Sequence, residues 1–324
     1  MNTLVYNMAR SGFITMPYPE KDCSGSVVVV TGANSGLGRE ASRHFVRLGA
    51  AKVILGCRNP DKGEEAKKDI EETTGKKDVV EAWQLDMASF ESVREFAARV
   101  DKLDRLDILV DNASLLIFTR EMIEGHESTL TVNVISTFLL TMLVLPIMRR
   151  TATKFNLIPH IVVVSSDAAT ASPLPERESE NIFKALDAKT DVLERYNVSK
   201  MMQVMITAKL AEAVDASGKG HITVNCLHPG FCGTQLFRRF PFPFNLIFKL
   251  LTALFARTAE MGSRTLLVAA FAGDDTHGRF MFDAKLHEPP YIMQGDEGEK
   301  LTQRVWDELV EILEGIVPGV TNNI

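Results

Sequence analysis

Short runs of β-branched and aliphatic residues punctuate this chain, and between them apolar positions recur at helical spacing. Residues 27–30 are four consecutive valines, and further runs lie at 53–55, 79–85, 108–110, 161–164, 222–227 and 280–282. Runs of this length, continuous at 27–30 and 161–164 and broken by polar residues at 79–85 and 222–227, read as strands of a sheet covered on both faces. After the first run, Ala41, Phe45 and Leu48 fall on one helical face. After the third, a helix beginning near Ser89 carries Phe90, Val93, Phe96 and Val100 as its buried stripe. A long helix is expected around residues 133–148, and another carrying Tyr196 after the fifth run. Strands alternating with helices predict an α/β fold: a doubly wound, mainly parallel, seven-stranded sheet with helices on both faces. There is no internal repeat, low-complexity tract or linker. One domain over residues 25–324 is therefore expected, with residues 1–24 an extension on its surface or along the substrate entrance.

Composition narrows the function classes. With 324 residues, 45% of them hydrophobic, the chain can fill a full core. Its net charge of −6 gives no electrostatic reason to bind nucleic acid. The four cysteines, Cys23, Cys57, Cys226 and Cys232, have no metal-type spacing and read as free, mostly buried thiols in a reducing compartment. No metal site is expected. The first 24 residues lack the apolar core of a signal peptide, and no run of 18 apolar residues supports a transmembrane helix. A cytoplasmic protein is expected. The most lipid-compatible stretch, residues 240–255, is interrupted by Pro241, Pro243 and Lys249, and leaves peripheral membrane contact as an alternative.

The first run leads into Thr31-Gly32-Ala33-Asn34-Ser35-Gly36-Leu37-Gly38 and then a helix. Strand, glycine turn and helix form a Rossmann-type nucleotide-binding start. The glycines admit a pyrophosphate close to the backbone, and the helix N-terminus offers unpaired N–H groups. An NAD site places a carboxylate at the end of the second strand to accept from the ribose 2′-hydroxyl. Here Gly56-Cys57-Arg58-Asn59 has no acid. Arg58, with Arg39 after the last glycine, suits a 2′-phosphate, so NADP(H) is the expected cofactor.

Further along stand Asn133, the pair Ser165-Ser166 after the fifth run, and Tyr196 with Lys200 four residues later. Tyr196 and Lys200 lie one helical turn apart and share a face. A free tyrosine titrates near pH ~10, and a nearby ammonium should lower that by favouring phenolate. His228 has no partner spacing that would make it a base.

In this order the pieces resemble the short-chain dehydrogenase/reductase family, from about residue 27 to 268, whose turn is TGxxxGxG. The pattern is most similar to its retinol-dehydrogenase-like branch. The resemblance implies a catalytic set of Asn133, Ser166, Tyr196 and Lys200. Tyr196 would donate a proton to a carbonyl oxygen as hydride arrives from the nicotinamide. Ser166 would hydrogen-bond that oxygen, Lys200 would also hold the nicotinamide ribose, and Asn133 would anchor a water leading to the lysine. Cofactor contacts are implied for Gly32, Asn34, Ser35, Gly36, Leu37, Gly38, Arg39, Arg58, Asp86, Asn112, Ala113, Tyr196, Lys200, Pro229, Gly230 and Thr234. The family's NNAG motif stands here as Asp111-Asn112-Ala113-Ser114, with Ser114 expected to tighten the pocket near the nicotinamide ribose.

About 30 residues between Ser166 and Tyr196 read as a loop bordering the substrate pocket. The aromatic and aliphatic segment 235–256 falls where the family binds substrate. It suggests a bulky hydrophobic small molecule, such as a polyketide, terpenoid, steroid or retinoid carbonyl of secondary metabolism, though an ordinary core helix reads equally well. Members of the family often pair helices between subunits, so the resemblance makes a homodimer an expectation. The competing functions are a non-redox step at the same NADP site, and a redox sensor that holds the cofactor without turnover.

Overall fold

The computed structural model describes residues 14–236 and 244–324. Its strands are β1 (Val27–Thr31), β2 (Lys52–Cys57), β3 (Val80–Gln84), β4 (Ile108–Asp111), β5 (Met122–Ile123), β6 (His126–Glu127), β7 (His160–Val164), β8 (Thr223–His228), β9 (Phe280–Phe282) and β10 (Lys285–His287). Its helices are α1 (Gly36–Arg47), α2 (Pro60–Thr74), α3 (Phe90–Val100), α4 (Ser128–Phe155), α5 (Ile182–Ala188), α6 (Arg195–Ala216), α7 (Phe244–Phe255), α8 (Ala259–Ala270) and α9 (Gly295–Ile316). The main sheet runs β10-β9-β8-β7-β4-β1-β2-β3, and β5 and β6 form a separate hairpin. Within the main sheet, pairing is parallel from β3 to β9 and antiparallel between β9 and β10.

The sheet thus has eight strands, not the seven expected. The added strand β10 is three residues long and wholly exposed, so it carries no apolar run to read. It returns through Asp283-Ala284, both at positive φ (50° and 61°), a hairpin turn made without the glycine or asparagine that usually marks one.

Alternation along each strand divides the core between the two faces. In β1, Val28 and Val30 join one cluster with Ala41 and Phe45 of α1, Ile70 of α2 and Leu266 of α8. Val29 faces the other cluster, with Phe96 of α3, Phe138 of α4, Met201 of α6 and Leu309 of α9. A fully buried ring such as Phe45 contributes roughly 2–3 kcal/mol by removal from water. Helix α4 is long and apolar enough to span a bilayer, yet 89% of its most apolar window is buried in the fold, which marks it as a core helix. On α7, Leu246, Leu250 and Leu254 are exposed at four-residue spacing. The rest of the apolar stretch, residues 240–243, lies outside the described residues.

The described part of the extension, residues 14–24, packs on α1 and α8. The Tyr18 ring lies 4.1 Å from the Arg47 guanidinium and 4.9 Å from that of Arg264, with the His44 ring edge-on at 5.3 Å. Arg264 also donates to the Met16 carbonyl at 2.7 Å. Residues 167–195 are not the loop the sequence suggested. Leu174, Ile182, Phe183 and Leu186 are buried in the main core, and Glu308 of α9 caps α5 by accepting the N–H groups of Ile182 and Phe183.

The direction of strand succession reverses between β1 and β4. In doubly wound sheets the crevice at the carboxyl ends of such a pair is where ligands bind.

Candidate active site

The glycine turn leaves β1 at this crevice. Gly32 and Gly36 have φ of 65° and 57°, the left-handed region that other residues adopt only under strain. A Cβ on Gly32 would lie 2.9 Å from the Ala113 Cα, and one on Gly38 would lie 2.6 Å from the Asn112 Nδ2. The turn is clipped to the end of β4. The Thr31 hydroxyl accepts the N–H groups of Asn112 and Ala113, both at 2.9 Å, and the Asn112 amide donates to the Thr31 carbonyl at 2.9 Å. Sequence reasoning quoted Thr31 but gave it no role. Its two accepted bonds are what join the halves of the crevice.

Asn34, Ser35 and Leu37 are partly buried along the turn. Helix α1 starts after Ser35 with no side-chain cap and no acidic residue in its first turn, so its first N–H groups remain open to an anion. Thr234 lies over the turn, since a Cβ on Gly36 would meet its side chain at 3.5 Å. The segment leading there turns at Gly230, φ 87°, and is pinned by Arg257, which donates to the Pro229 carbonyl at 3.1 Å and pairs with Asp283 at 2.5 Å. Asp86, past the end of β3, is half-buried, and its Oδ1 accepts the Ala88 N–H. At the end of β2, Arg58 is exposed and has no ion pair among the described residues, whereas Arg39 lies 3.5 Å from Asp69.

The proton-transfer candidates meet at the ends of β7 and β4. Ser165 is structural: its hydroxyl donates to the Lys200 carbonyl at 2.7 Å. Ser166 neighbours the Tyr196 phenol and favours its ionised form. It also donates to the Asp167 carboxylate at 3.1 Å. Lys200 Nζ lies 5.6 Å from the centroid of the Tyr196 ring and donates to the Val164 carbonyl at 2.8 Å. The expected lowering of the tyrosine pKa does not hold in this geometry. Burial pushes the phenol up, outweighing the lowering influence of Ser166, and the Asp167 carboxylate adds to the rise. Burial also lowers Lys200 to about 7. By exposed area Tyr196 is half-buried and Lys200 fully buried, so what holds for the phenol is the direction, upward.

Asn133 is fully buried in a turn of α4 that widens to π spacing over Thr131–Ile135. Its side chain is saturated: Oδ1 accepts from the Leu115 N–H (2.7 Å) and the Ser114 hydroxyl (3.2 Å), while Nδ2 donates to the Leu115 carbonyl and Ser199 (both 3.0 Å). Ser114 is thereby turned toward Asn133. Asp111, the other departure in that motif, is buried with one oxygen accepting from Thr141 at 2.8 Å and the other unpaired. Burial raises it to about 7.

His228 is buried against the Phe282 ring, its Nε2 3.9 Å from Asp167, too far for a hydrogen bond, and burial lowers its pKa. All four cysteines are free and buried, and burial holds the Cys232 thiol at about 12, which removes it as a nucleophile. Among the described residues one cluster, Asp215, His221 and His277, brings ligand-type atoms within 4.8 Å of one another. His277 Nδ1 accepts the Val224 N–H and its Nε2 faces the Ala211 carbonyl, so the proton sits on Nε2 and no lone pair is left for a metal.

The family model described as short chain dehydrogenase matches residues 26–176. The short chain dehydrogenase/reductase dmxR8 of a Cryptosporiopsis species is 43% identical, over 96% of this chain and 97% of its own length. The short chain dehydrogenase atnD of Emericella nidulans is 42% identical, over 84% of this chain and 88% of its own. Among solved structures, a short chain dehydrogenase from Escherichia coli CFT073 complexed with NADPH superposes with a TM-score of 0.60 at 24% identity, covering 82% of this chain and 99% of its own. That likeness shows the fold. The chain belongs to the short-chain dehydrogenase/reductase family of oxidoreductases.

Proposed function

We propose that this member of the short-chain dehydrogenase/reductase family is an NADP(H)-dependent enzyme that interconverts a carbonyl and an alcohol on a hydrophobic small molecule, with Tyr196 as its acid and base. The observation that carries the reading is the meeting of Ser166, Tyr196 and Lys200 at the carboxyl ends of the strands beside the glycine turn. The turn suits a dinucleotide on its own geometry. A Cβ at Gly32 or Gly38 would collide with the end of β4, and the open N–H groups of α1 lie beneath Thr234. Arg58, exposed at the end of a β2 that lacks an acid, would take the 2′-phosphate. Gly36, Leu37 and Gly38 would hold the pyrophosphate, with Asn34, Ser35 and Arg39 around it. Asp86 would hold the adenine edge, and Asn112, Ala113, Pro229, Gly230 and Thr234 would line the remainder.

When bound, the nicotinamide supplies the hydride. The protein's part is to move a proton and fix an oxygen. Ser166 Oγ orients the substrate oxygen, and the Tyr196 hydroxyl gives it a proton as negative charge develops there. Lys200 places a cation behind the phenol when protonated and so stabilises the phenolate left behind. Segment 235–256 would supply the apolar wall.

Two measurements test the reading: a fluorescence titration with NADPH and NADH, and NADPH oxidation at 340 nm over a panel of hydrophobic ketones and aldehydes. NADPH should bind in preference to NADH. Tyr196→Phe should cut turnover by roughly 10²–10⁴ and leave NADPH affinity in place. Turnover undiminished by that substitution would refute the role of Tyr196. Tight NADPH binding without oxidation of any compound would favour a non-redox step or a sensor.

A further inference from the structure

Lys200 is 1% exposed and its head group is held from two sides. One bond goes to the Val164 carbonyl on β7. The other, 3.0 Å long, goes to the side-chain oxygen of Gln203, one turn further along α6. Gln203 is also 1% exposed, and its Nε2 donates to the Asn133 backbone carbonyl at 2.7 Å. That carbonyl is open to a side chain because α4 widens there. The Ser136 N–H reaches back to Thr131, and neighbouring carbonyls turn to side-chain donors: Val132 accepts from the Thr137 hydroxyl and Asn133 from Gln203. The Asn133 side chain is fully occupied by Leu115, Ser114 and Ser199 of α6, so it is the backbone oxygen that Gln203 reaches.

We propose that Gln203 is a positioning residue of the reaction: its carboxamide is a strut from the Asn133 carbonyl to the Lys200 Nζ that fixes the lysine head behind Tyr196. The inference rests on the reading of Tyr196 and Lys200 as the proton-transfer pair. An ammonium has three donors. Val164 and Gln203 take two, and the third is left for the crevice. The carboxamide links the Asn133 carbonyl directly to the lysine head. A carboxamide donates only at nitrogen and accepts only at oxygen, so its polarity across this gap is fixed. The titratable groups facing Lys200 are the Cys226 thiol from β8 and the Tyr196 phenol on its own helix.

The test is an NMR titration of the full chain labelled with ¹³C at lysine Cε, with the Lys200 signal assigned by its loss in Lys200→Arg. Gln203→Leu removes the acceptor and should lower the Lys200 midpoint. Gln203→Glu puts a carboxylate against the ammonium and should raise it by about one pH unit or more. The pH at which NADPH affinity changes, read by fluorescence, should move in the same direction as each midpoint. A side chain that only filled space would leave both readouts unmoved. Coincident midpoints in wild type and both variants would overturn the proposal. If the leucine variant does not fold, the glutamate variant decides alone, since the strut requires its upward shift. Tyr196→Phe separates the two failures. Full turnover in that variant sinks the proton-transfer pair itself, whereas an inactive Tyr196→Phe with coincident midpoints sinks only the strut.

Discussion

Replacing Asp111 by asparagine should stabilise the protein at neutral and alkaline pH while changing little in acid. The carboxyl is buried at the end of β4 with one hydrogen bond, from Thr141, and no cation pairs with it among the described residues. Burial raises its pKa from 3.8 to about 7. The folded state therefore holds a proton that the unfolded state releases between those two values, and wild-type stability must fall as pH rises through that window. A rise of that size corresponds to about 4 kcal/mol, reached by pH 8, of which about 2 kcal/mol has accrued by pH 5. The asparagine would keep an acceptor for Thr141 and carry no charge, so Asp111→Asn should be free of this slope. With an unfolding entropy of about 2.1 cal/mol/K per residue, 4 kcal/mol corresponds to a melting-point gain of about 6 °C at pH 8 for a chain of this size. Urea unfolding of both proteins at pH 4, 5, 6, 7 and 8 measures the difference directly. Two curves that stay parallel from pH 4 to pH 8 would refute the reasoning, because they would mean that Asp111 is ionised in the fold at no cost.

Lys200→Met removes a penalty of opposite pH dependence: burial lowers the lysine to about 7, so the cost of the folded ammonium is full below that pH and fades as pH rises toward 10.5. The stability advantage of Lys200→Met should therefore shrink between pH 7 and pH 10, as urea unfolding at those pH values would show. Gly38→Ala drives a methyl against Asn112 and the Gly32 carbonyl, and should cost about 1–3 kcal/mol by denaturant unfolding along with most of the NADPH affinity. Arg58→Ala should weaken NADPH binding roughly tenfold or more in a fluorescence titration and leave NADH binding unchanged, since only NADPH carries the 2′-phosphate. Tyr18→Ala breaks the stack between Arg47 and Arg264 and should lower stability by about 1 kcal/mol, read from the urea midpoint.

The strands most legible in the sequence are those whose every position is apolar. Residues 27–30 and 161–164 could be read directly because a central parallel strand is covered on both faces. β10 was illegible for the converse reason, since Lys285-Leu286-His287 is exposed and its turn lacks the usual residues. α5 had a signal that went unread. Asn181 caps it by accepting the Lys184 N–H, and Ile182, Phe183 and Leu186 share one face. Prolines and glutamates before it suggested a loop instead. The candidate site was legible as residue types in order, but not as a network. Gln203 interrupts an apolar stretch of α6 three residues after Lys200, a cue to a buried partner. Its other end lies at a backbone carbonyl on α4, and no side-chain pattern announces a carbonyl freed by a widened turn. The upward direction of the Tyr196 pKa was not legible, because sequence places Lys200 beside it without giving the burial of either group.

The cap that Glu308 places on α5 has a consequence for synthesis. The glycine turn, α1 and the first two strands all come from the first 57 residues, and their mutual contacts can form early on the ribosome. Asn181 caps α5 locally, but its Ile182 and Phe183 N–H groups wait for a carboxylate made about 125 residues later, and Arg304 holds the neighbouring carbonyls of Arg177 and Ser179 from the same late helix. The nucleotide side of the crevice can therefore take shape during translation, while the 167–195 segment is locked only after α9 emerges. A nascent chain stalled before residue 300 should already shield its glycine turn from protease and still be cut near residue 180.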